Sequence, residues 1–188
     1  MLKTGLTERT IESLQLNAGV LLTAYTKGED IEETDILGAT RGGGSFTAVP
    51  TMHQVAVDGA PMYVKGLERC DDWVATLNVT MVECNIDAVK AALGVGATAD
   101  TATADAKLTA KTTVAATDYK DIYWVGDLSN GQNVVIKLKN ALNTGGFNLT
   151  FSDRGEGTYA LALIAHYSVT DLENAPFEIT FEGMGTSV

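Results

Sequence analysis

The sequence has few of the side chains from which enzymes and metal sites are built. It contains two histidines, His53 and His166, and two cysteines, Cys70 and Cys84. A catalytic triad is hard to assemble from so few residues, and a structural zinc site needs a full set of spaced ligands. Neither GxSxG nor HExxH occurs. We therefore expect no enzymatic activity, no metal and no cofactor, and we expect both cysteines to be free, buried thiols of a reducing compartment.

Positive charge is also scarce. Thirteen lysines and arginines stand against 24 aspartates and glutamates, which gives a formal net charge of −11 and a pI near 4.5. Proteins that grip nucleic acid gain affinity when lysine and arginine release counterions from phosphates. This chain is a poor candidate for DNA binding, although its surface suits a protein to which DNA must not adhere.

Long apolar runs are missing as well. Met1–Lys3 is not followed by an apolar signal core, and the uncharged stretch 14–26 contains Gln, Asn and Gly. It falls short of the ~20 apolar residues that a membrane span requires. We expect a soluble protein that is cytosolic at synthesis and binds no membrane.

The length predicts one domain over residues 1–188, with a core large enough to need no disulfides. Within it, residues 95–117 are rich in Ala and Thr and have few bulky side chains. This segment is either an exposed low-complexity insertion or a pair of weak edge strands.

The longest strand pattern runs from Trp73 to Cys84. Trp73 and alternate residues up to Met81 are apolar and predict a core-facing side, while Thr76, Asn78 and Thr80 predict a more polar side. A short helix follows, with Asn85 as its N-cap, Gly94 as its exit, and a predicted buried stripe of Ile86, Val89 and Leu93.

Further alternation predicts an antiparallel sheet. The predicted strands are 18–26, 46–57, 119–127, 133–139, 147–151, 159–169 and 177–181. Ser129–Gln132 predicts a type I′ hairpin turn. Residues 7–16 are either a short helix or an arm that orders only against a neighbour. The fold class is mainly β, a β-sandwich or barrel-like antiparallel sheet with one or two short flanking α-helices.

A glycine-rich run lies before the second predicted strand, at Arg41–Ser45. It is not a phosphate-binding loop, because no Gly-Lys-Ser/Thr follows and the spacing is not GxGxxG. We interpret it as a flexible entrance to the strand.

Five segments together carry a family resemblance. They are Leu37–Phe46, Val55–Ala60, Val64–Gly66 leading into Trp73–Cys84, Asn85–Gly94, and Ala175–Ile179. With these segments the chain resembles the tail tube (major tail) proteins of long-tailed bacteriophages and related phage-tail-like particles. Residues 95–117 depart from that pattern.

The resemblance implies a structural virion protein whose hexameric rings stack into a tube that conducts DNA and surrounds a tape-measure protein. The implied partners are copies of the chain itself, the tape-measure protein, a tail terminator, and baseplate or tip proteins. DNA would pass through without specific binding. The implied location is the virion tail, assembled in the host cytoplasm.

Assembly of this kind needs contacts between subunits. Unpaired strand edges are a liability in a monomer, and head-to-tail pairing around a ring removes them. Besides the N-terminal arm, we expect a flexible inter-subunit loop that docks on the next ring. Its candidate residues are Arg41, Gly42, Gly43, Gly44, Ser45, Phe46 and Pro50.

Two functions of other classes stay open. A β-sandwich carbohydrate-binding or adhesion module of a phage or bacterial surface would need an export route and an aromatic platform, for which Tyr123 and Trp124 are candidates. A small-ligand barrel or hydrolase would need the catalytic constellation that this sequence lacks.

Overall fold

A computed structural model describes residues 4–95, 98–100 and 105–183. The α-helices are α1 (Glu8–Glu12) and α2 (Ile86–Leu93). The strands are β1 (Gln15–Leu22), β2 (Thr40–Gln54), β3 (Glu68–Met81), β4 (Thr98–Asp100), β5 (Lys107–Thr109), β6 (Lys120–Leu128), β7 (Asn133–Asn143), β8 (Leu149–Thr150), β9 (Thr158–Ile164) and β10 (Phe177–Phe181). Neither helix has the length and apolar character to cross a bilayer, within the part of the chain described.

Eight strands form one antiparallel sheet with the order β1-β6-β7-β9-β3-β2. β10 pairs with β7, and β8 pairs with β9. The sheet folds into two halves at β7. The first part of this strand pairs with β6 and β10, whereas its last residues, Leu142 and Asn143, pair with β9. The two end strands, β1 and β2, come close to each other without pairing. The predicted mainly β, antiparallel fold with two short helices is confirmed.

The core lies between the two halves of the folded sheet. Alternate residues of β3 and β9 point into it, as the sequence pattern predicts. They are Ala75, Leu77, Val79, Met81, Tyr159, Leu161 and Leu163. Leu21 of β1, Ile122 of β6 and Leu138 of β7 pack against them from the other half of the sheet.

Helix α2 covers one end of this core. The predicted buried stripe is confirmed at Val89, which packs against the core, and wrong at Ile86. Ala88 and Ala92 are fully buried, whereas Ile86 is 39% exposed. The helix approaches β7 closely, since a Cβ on Gly94 would overlap the carbonyl oxygen of Asn143. Only small side chains fit at such a distance, which is why alanines rather than Ile86 face the sheet.

The hairpin between β6 and β7 forms where the sequence predicts it, but its turn is not type I′. Gly131 has φ +79°, whereas neither Ser129 nor Asn130 has positive φ. The Gly131 amide donates to the Leu128 carbonyl at 2.9 Å. This is a three-residue loop in which the left-handed residue comes third, so glycine alone supplies the positive φ.

Both cysteines are free, but the prediction that they are buried is wrong. Cys70 lies in the part of β3 that extends past β9, and Cys84 follows the end of β3. Neither position is covered by a second layer of the fold.

Within 95–117, β4 and β5 pair as a small separate sheet. Residues 96–97 and 101–104 of that segment lie outside the described residues. The extent of the insertion, like the single domain over 1–188, stays a prediction.

Glu83 connects the end of β3 to the segment before β2 and to the cap of α2. Its carboxylate accepts hydrogen bonds from Asn85 Nδ2 at 2.8 Å and from the Ala39 amide at 2.9 Å. These bonds, that from Asn85 above all, favour the ionised form and hold the Glu83 pKa below its ordinary 4.5.

This lowered pKa makes a testable prediction. A carboxyl with a depressed folded pKa stabilises the fold at pH values above its unfolded pKa, and this stabilisation is lost as the pH falls through the folded pKa. We expect Glu83→Gln to lower the melting temperature near neutral pH and to match the wild type once the pH is well below about 4. Thermal unfolding across this range checks it, and a pH-independent difference would contradict it.

Candidate assembly interface

β2 and β3 extend as a ribbon beyond the rest of the sheet. β9 pairs with β3 only over Thr76–Met81, whereas the β2–β3 pairing continues to Gln54 opposite Glu68. Residues 51–72, which include the connecting loop, therefore project past the end of β9, and we call them the arm. On the sheet side of the arm, Trp73 marks the last well-packed position, with its ring against Phe177.

The end of the arm exposes large apolar side chains. Val57, Met62 and Tyr63 are 51%, 73% and 78% exposed. Tyr63 also has φ +64°, a left-handed conformation that is strained for a residue with a bulky side chain. An apolar cluster at the end of a projecting element is typical of a surface that another protein covers.

The second open surface is the outer edge of β2. One side of this strand pairs with β3 from Gly44 to Gln54, and the other side pairs with no strand among the described residues. Pro50 has no amide to donate, which edge strands tolerate. No charged side chain interrupts the edge from Gly44 to Met52, so Pro50 is the feature of this stretch that limits pairing with another chain.

The candidate inter-subunit loop is part of this strand and is not a loop. Its seven residues, Arg41, Gly42, Gly43, Gly44, Ser45, Phe46 and Pro50, all lie in β2. The predicted flexible entrance at Arg41–Ser45 is therefore corrected to a bulged part of β2, in which Gly44 and Ser45 pair with β3. Their role between subunits stays a prediction.

The glycines of this run have two local structural uses. Pairing passes from Thr40 opposite Met81 directly to Gly44 opposite Val79, so β2 bulges here, and Gly42 and Gly43 take φ +76°. At Gly44 an added Cβ would lie 2.6 Å from Val79 Cγ1. Backbone geometry and close approach, rather than flexibility, account for the run.

The bulge allows a test of this segment. Deleting Gly42 and Gly43 removes the two surplus residues and keeps Phe46 facing the core, whereas deleting Gly44 as well would shift the register by one and turn Phe46 outward. We expect the two-residue deletion to leave the melting temperature of the subunit nearly unchanged and to weaken polymerisation. Sedimentation of assembled material measures this, and full assembly would contradict it.

Helix α1 is a third exposed element. Thr7 caps it by accepting a hydrogen bond from the Thr10 amide at 3.2 Å, and none of its residues is buried. Nearby Leu6 and Ile11 are 72% and 67% exposed. The helix is attached to the β6–β7 turn, where the Ser129 amide donates to the Leu14 carbonyl at 2.9 Å. The predicted helix thus forms without contributing to the core.

The outer face of β6, β7 and β10 carries ion pairs beside a small apolar cluster of Leu22, Val125 and Val135. Lys137 Nζ lies 2.8 Å from Asp121 Oδ2, and Lys139 Nζ lies 2.7 Å from Glu178 Oε1. Burial acts to raise the pKa of Asp121, but hydrogen bonds from Lys137 and from the Asn140 amide outweigh it, and the pKa is lowered. The hydrogen bond to Asp121 raises the pKa of Lys137.

The remaining polar candidates do not form a reactive site. His53 Nδ1 lies 2.7 Å from Asp71 Oδ2 on the arm, with both side chains about half exposed. His166 is distant in the fold and lies with its Nδ1 3.1 Å from the Asn140 carbonyl. The described residues hold no group of three or more His, Cys, Asp or Glu side chains placed to bind a metal ion.

Tyr123 and Trp124 do not form one aromatic platform, because neighbouring strand residues point to opposite faces. Trp124 lies against the core and donates from Nε1 to the Ala18 carbonyl at 2.9 Å. Tyr123 lies on the outer face, beside Tyr25 with ring centroids 6.3 Å apart. This arrangement does not favour the carbohydrate-binding alternative.

No protein-family model and no curated protein matches this sequence. A chain from the solved structure titled "Virion of native gene transfer agent (GTA) particle" is 11% identical, with a TM-score of 0.40, and the match covers 87% of this chain and 95% of that one. A chain from "Tail of empty GTA particle computed with helical refinement, C6 symmetry" is 12% identical, with a TM-score of 0.39 and the same coverage. Likeness at this level assigns neither a family nor a role.

Proposed function

We propose that this chain is a structural virion protein, the subunit of a phage-type tail tube. Copies pair into hexameric rings, and the rings stack into a conduit for DNA. The observation that carries the proposal is the coexistence of an open β2 edge and an apolar arm on one ribbon. Both surfaces are hazards in an isolated subunit, and both are covered when identical subunits assemble.

The two surfaces point in different directions, as a tube requires. Hydrogen bonds from the β2 edge run across the strand, so a neighbour that pairs there lies beside the subunit. The arm projects along the strand direction, so its tip reaches a subunit beyond the end of the sheet. Lateral contacts through the β2 edge can close into a ring. Contacts through the arm join one ring to the next, do not close, and give a filament.

The charge of the chain agrees with passage of DNA through the tube. With a formal net charge of −11, the subunit has little capacity to neutralise phosphates, so DNA would slide rather than adsorb. We further propose that a tape-measure protein lies inside the tube and that terminator and baseplate or tip proteins bind at its ends. The tube would be part of the virion tail after assembly in the host cytoplasm. We assign no reaction to the chain.

Electron microscopy of the purified full chain tests the proposal. We expect concentrated protein to form rings and tubes with six-fold end views, and sedimentation to show assembled material. A subunit that stays monomeric at high concentration would refute the proposal, and specific binding to a glycan array would favour the adhesion alternative.

A further inference from the structure

We infer that a protonated His53 fixes the direction of the arm and thereby makes assembly depend on pH, an inference that rests on the proposed tube. His53 lies on β2 at the base of the arm and pairs with Asp71 of β3. The two side chains meet where the strands of the arm pass out of register. The arm therefore has a titratable contact at the point from which it projects.

β3 bulges at the base of the arm. Thr51 of β2 lies opposite Asp72 of β3. The next residue of β2, Met52, lies opposite Cys70, so Asp71 is a surplus residue of β3. A bulge bends its strand and changes the direction in which the ribbon continues. The conformation at Asp71 therefore determines where the end of the arm points.

His53 holds this bulge from the other strand. Its Nδ1 lies 2.8 Å from Oδ1 and 2.7 Å from Oδ2 of Asp71, and both side chains are about half exposed. The contact thus ties the surplus residue of β3 to β2. A two-stranded ribbon without further packing is only marginally stable in water. One cross-strand contact therefore has a large share in fixing the direction of the arm.

The charge that faces His53 is negative. Along β2 itself, positions 46–57 carry no formal charge apart from this histidine. Arg69 of β3 lies directly opposite His53 and repels a proton on it. The other titratable groups of β3 in this stretch are three carboxyls and one thiol, those of Glu68, Asp71, Asp72 and Cys70. Three carboxylates outweigh one guanidinium, so β3 attracts a protonated imidazole and does not attract a neutral one.

Protonation changes the strength of this contact. A histidine side chain gains its proton between about pH 8 and about pH 5. At the lower pH, attraction between imidazolium and carboxylate holds Asp71 against His53, and the arm keeps its direction. At the higher pH a neutral imidazole retains only a hydrogen bond, and the arm also takes directions in which its apolar end meets no partner. An exposed ion pair shifts such an equilibrium about two- to fivefold, and repetition of the contact around a ring multiplies the effect.

The protein concentration at which tubes form, measured by sedimentation at about pH 6 and at about pH 8, tests the inference. The chain has two histidines, so His166→Gln is a matched control. We expect the unsubstituted chain and His166→Gln to need about fivefold more protein, or more, at the higher pH. His53→Gln should need the higher concentration at both pH values. His53→Lys should need the lower concentration at both, because lysine stays charged throughout this range.

Asp71→Asn separates this mechanism from a direct contact of His53 with another subunit. Asparagine keeps the shape and removes the charge, so the pH dependence should disappear although His53 still gains and loses its proton. Thermal unfolding confirms that each variant keeps the fold. Persistence of the pH dependence in Asp71→Asn or His53→Gln, or its absence from the unsubstituted chain, would overturn the inference and leave the tube intact. Failure of the unsubstituted chain to form tubes at either pH would overturn the proposed function as well.

Discussion

Replacing Met62 with serine and Tyr63 with asparagine should abolish tube formation and leave the subunit folded. These side chains are 73% and 78% exposed, so the subunit's core does not depend on them. Asparagine tolerates the left-handed φ of +64° at position 63, which keeps the loop in place. Truncation of central interface anchors costs about 2 kcal/mol or more each, about 4 kcal/mol for the pair, so the concentration needed for assembly should rise about 1,000-fold.

A matched variant separates this effect from general loss of exposed apolar surface. Val169 and Leu172, between β9 and β10, are 92% and 68% exposed and lie outside the arm. Val169→Ser with Leu172→Asn should assemble normally. Sedimentation and electron microscopy measure assembly, and thermal unfolding confirms the fold. Normal tubes from the Met62 and Tyr63 variant would show that the arm tip is not a subunit contact.

Asn143→Ala should destabilise the subunit measurably. The Asn143 side chain is 1% exposed and lies where α2, β7 and the turn after β7 meet. Its Nδ2 donates to the carbonyls of Ala92 and Gly146, and its Oδ1 accepts from the Gly145 amide at 2.9 Å. Ala92 is fully buried, so alanine at position 143 would leave its carbonyl unpaired, at a cost of about 1–3 kcal/mol. Gly145 and Gly146 are exposed, so water can replace the bonds to their backbone groups.

The expected loss is about 1–3 kcal/mol of unfolding free energy, set against the roughly 5–15 kcal/mol that holds a domain folded. Chemical denaturation of dissociated subunits measures it. Asn78→Ala, at an exposed position of β3, serves as the control and should change the midpoint little. A shift at position 143 no larger than at position 78 would contradict this prediction and mean that water satisfies the Ala92 carbonyl.

The regular parts of the fold could be predicted because local patterns determine them. Alternation alone places Leu77 and Leu161 in the core, and Asn85 with Gly94 bounds α2. The buried role of Ala88 could not be predicted, because it depends on how closely α2 approaches a strand far away in the chain. Asn143 was missed for the same reason, since its partner Ala92 is 51 residues away and leaves no local signal.

The candidate site was harder to predict than the fold. The run Arg41–Ser45 predicts flexibility because glycine-rich sequences are usually flexible, whereas in the fold it forms a bulge of β2 and pairs with β3 at Gly44 and Ser45. The arm could not be predicted from the sequence, because the ribbon projects only where β3 extends past the end of β9, and no local pattern shows where that happens. The exposure of Met62 likewise follows from the length of the ribbon beneath it.

The order of strands in the sheet has a consequence for folding kinetics. The β2–β3 ribbon closes over short separations, as with His53 and Asp71, 18 residues apart, whereas β1 meets β6 over long ones, as with Ala18 and Trp124, 106 residues apart. Short loops close at lower entropic cost, and distant pairings slow folding. During synthesis the ribbon can therefore form long before β1 docks. Each nascent subunit then exposes its unpaired β2 edge before its hydrophobic core is complete.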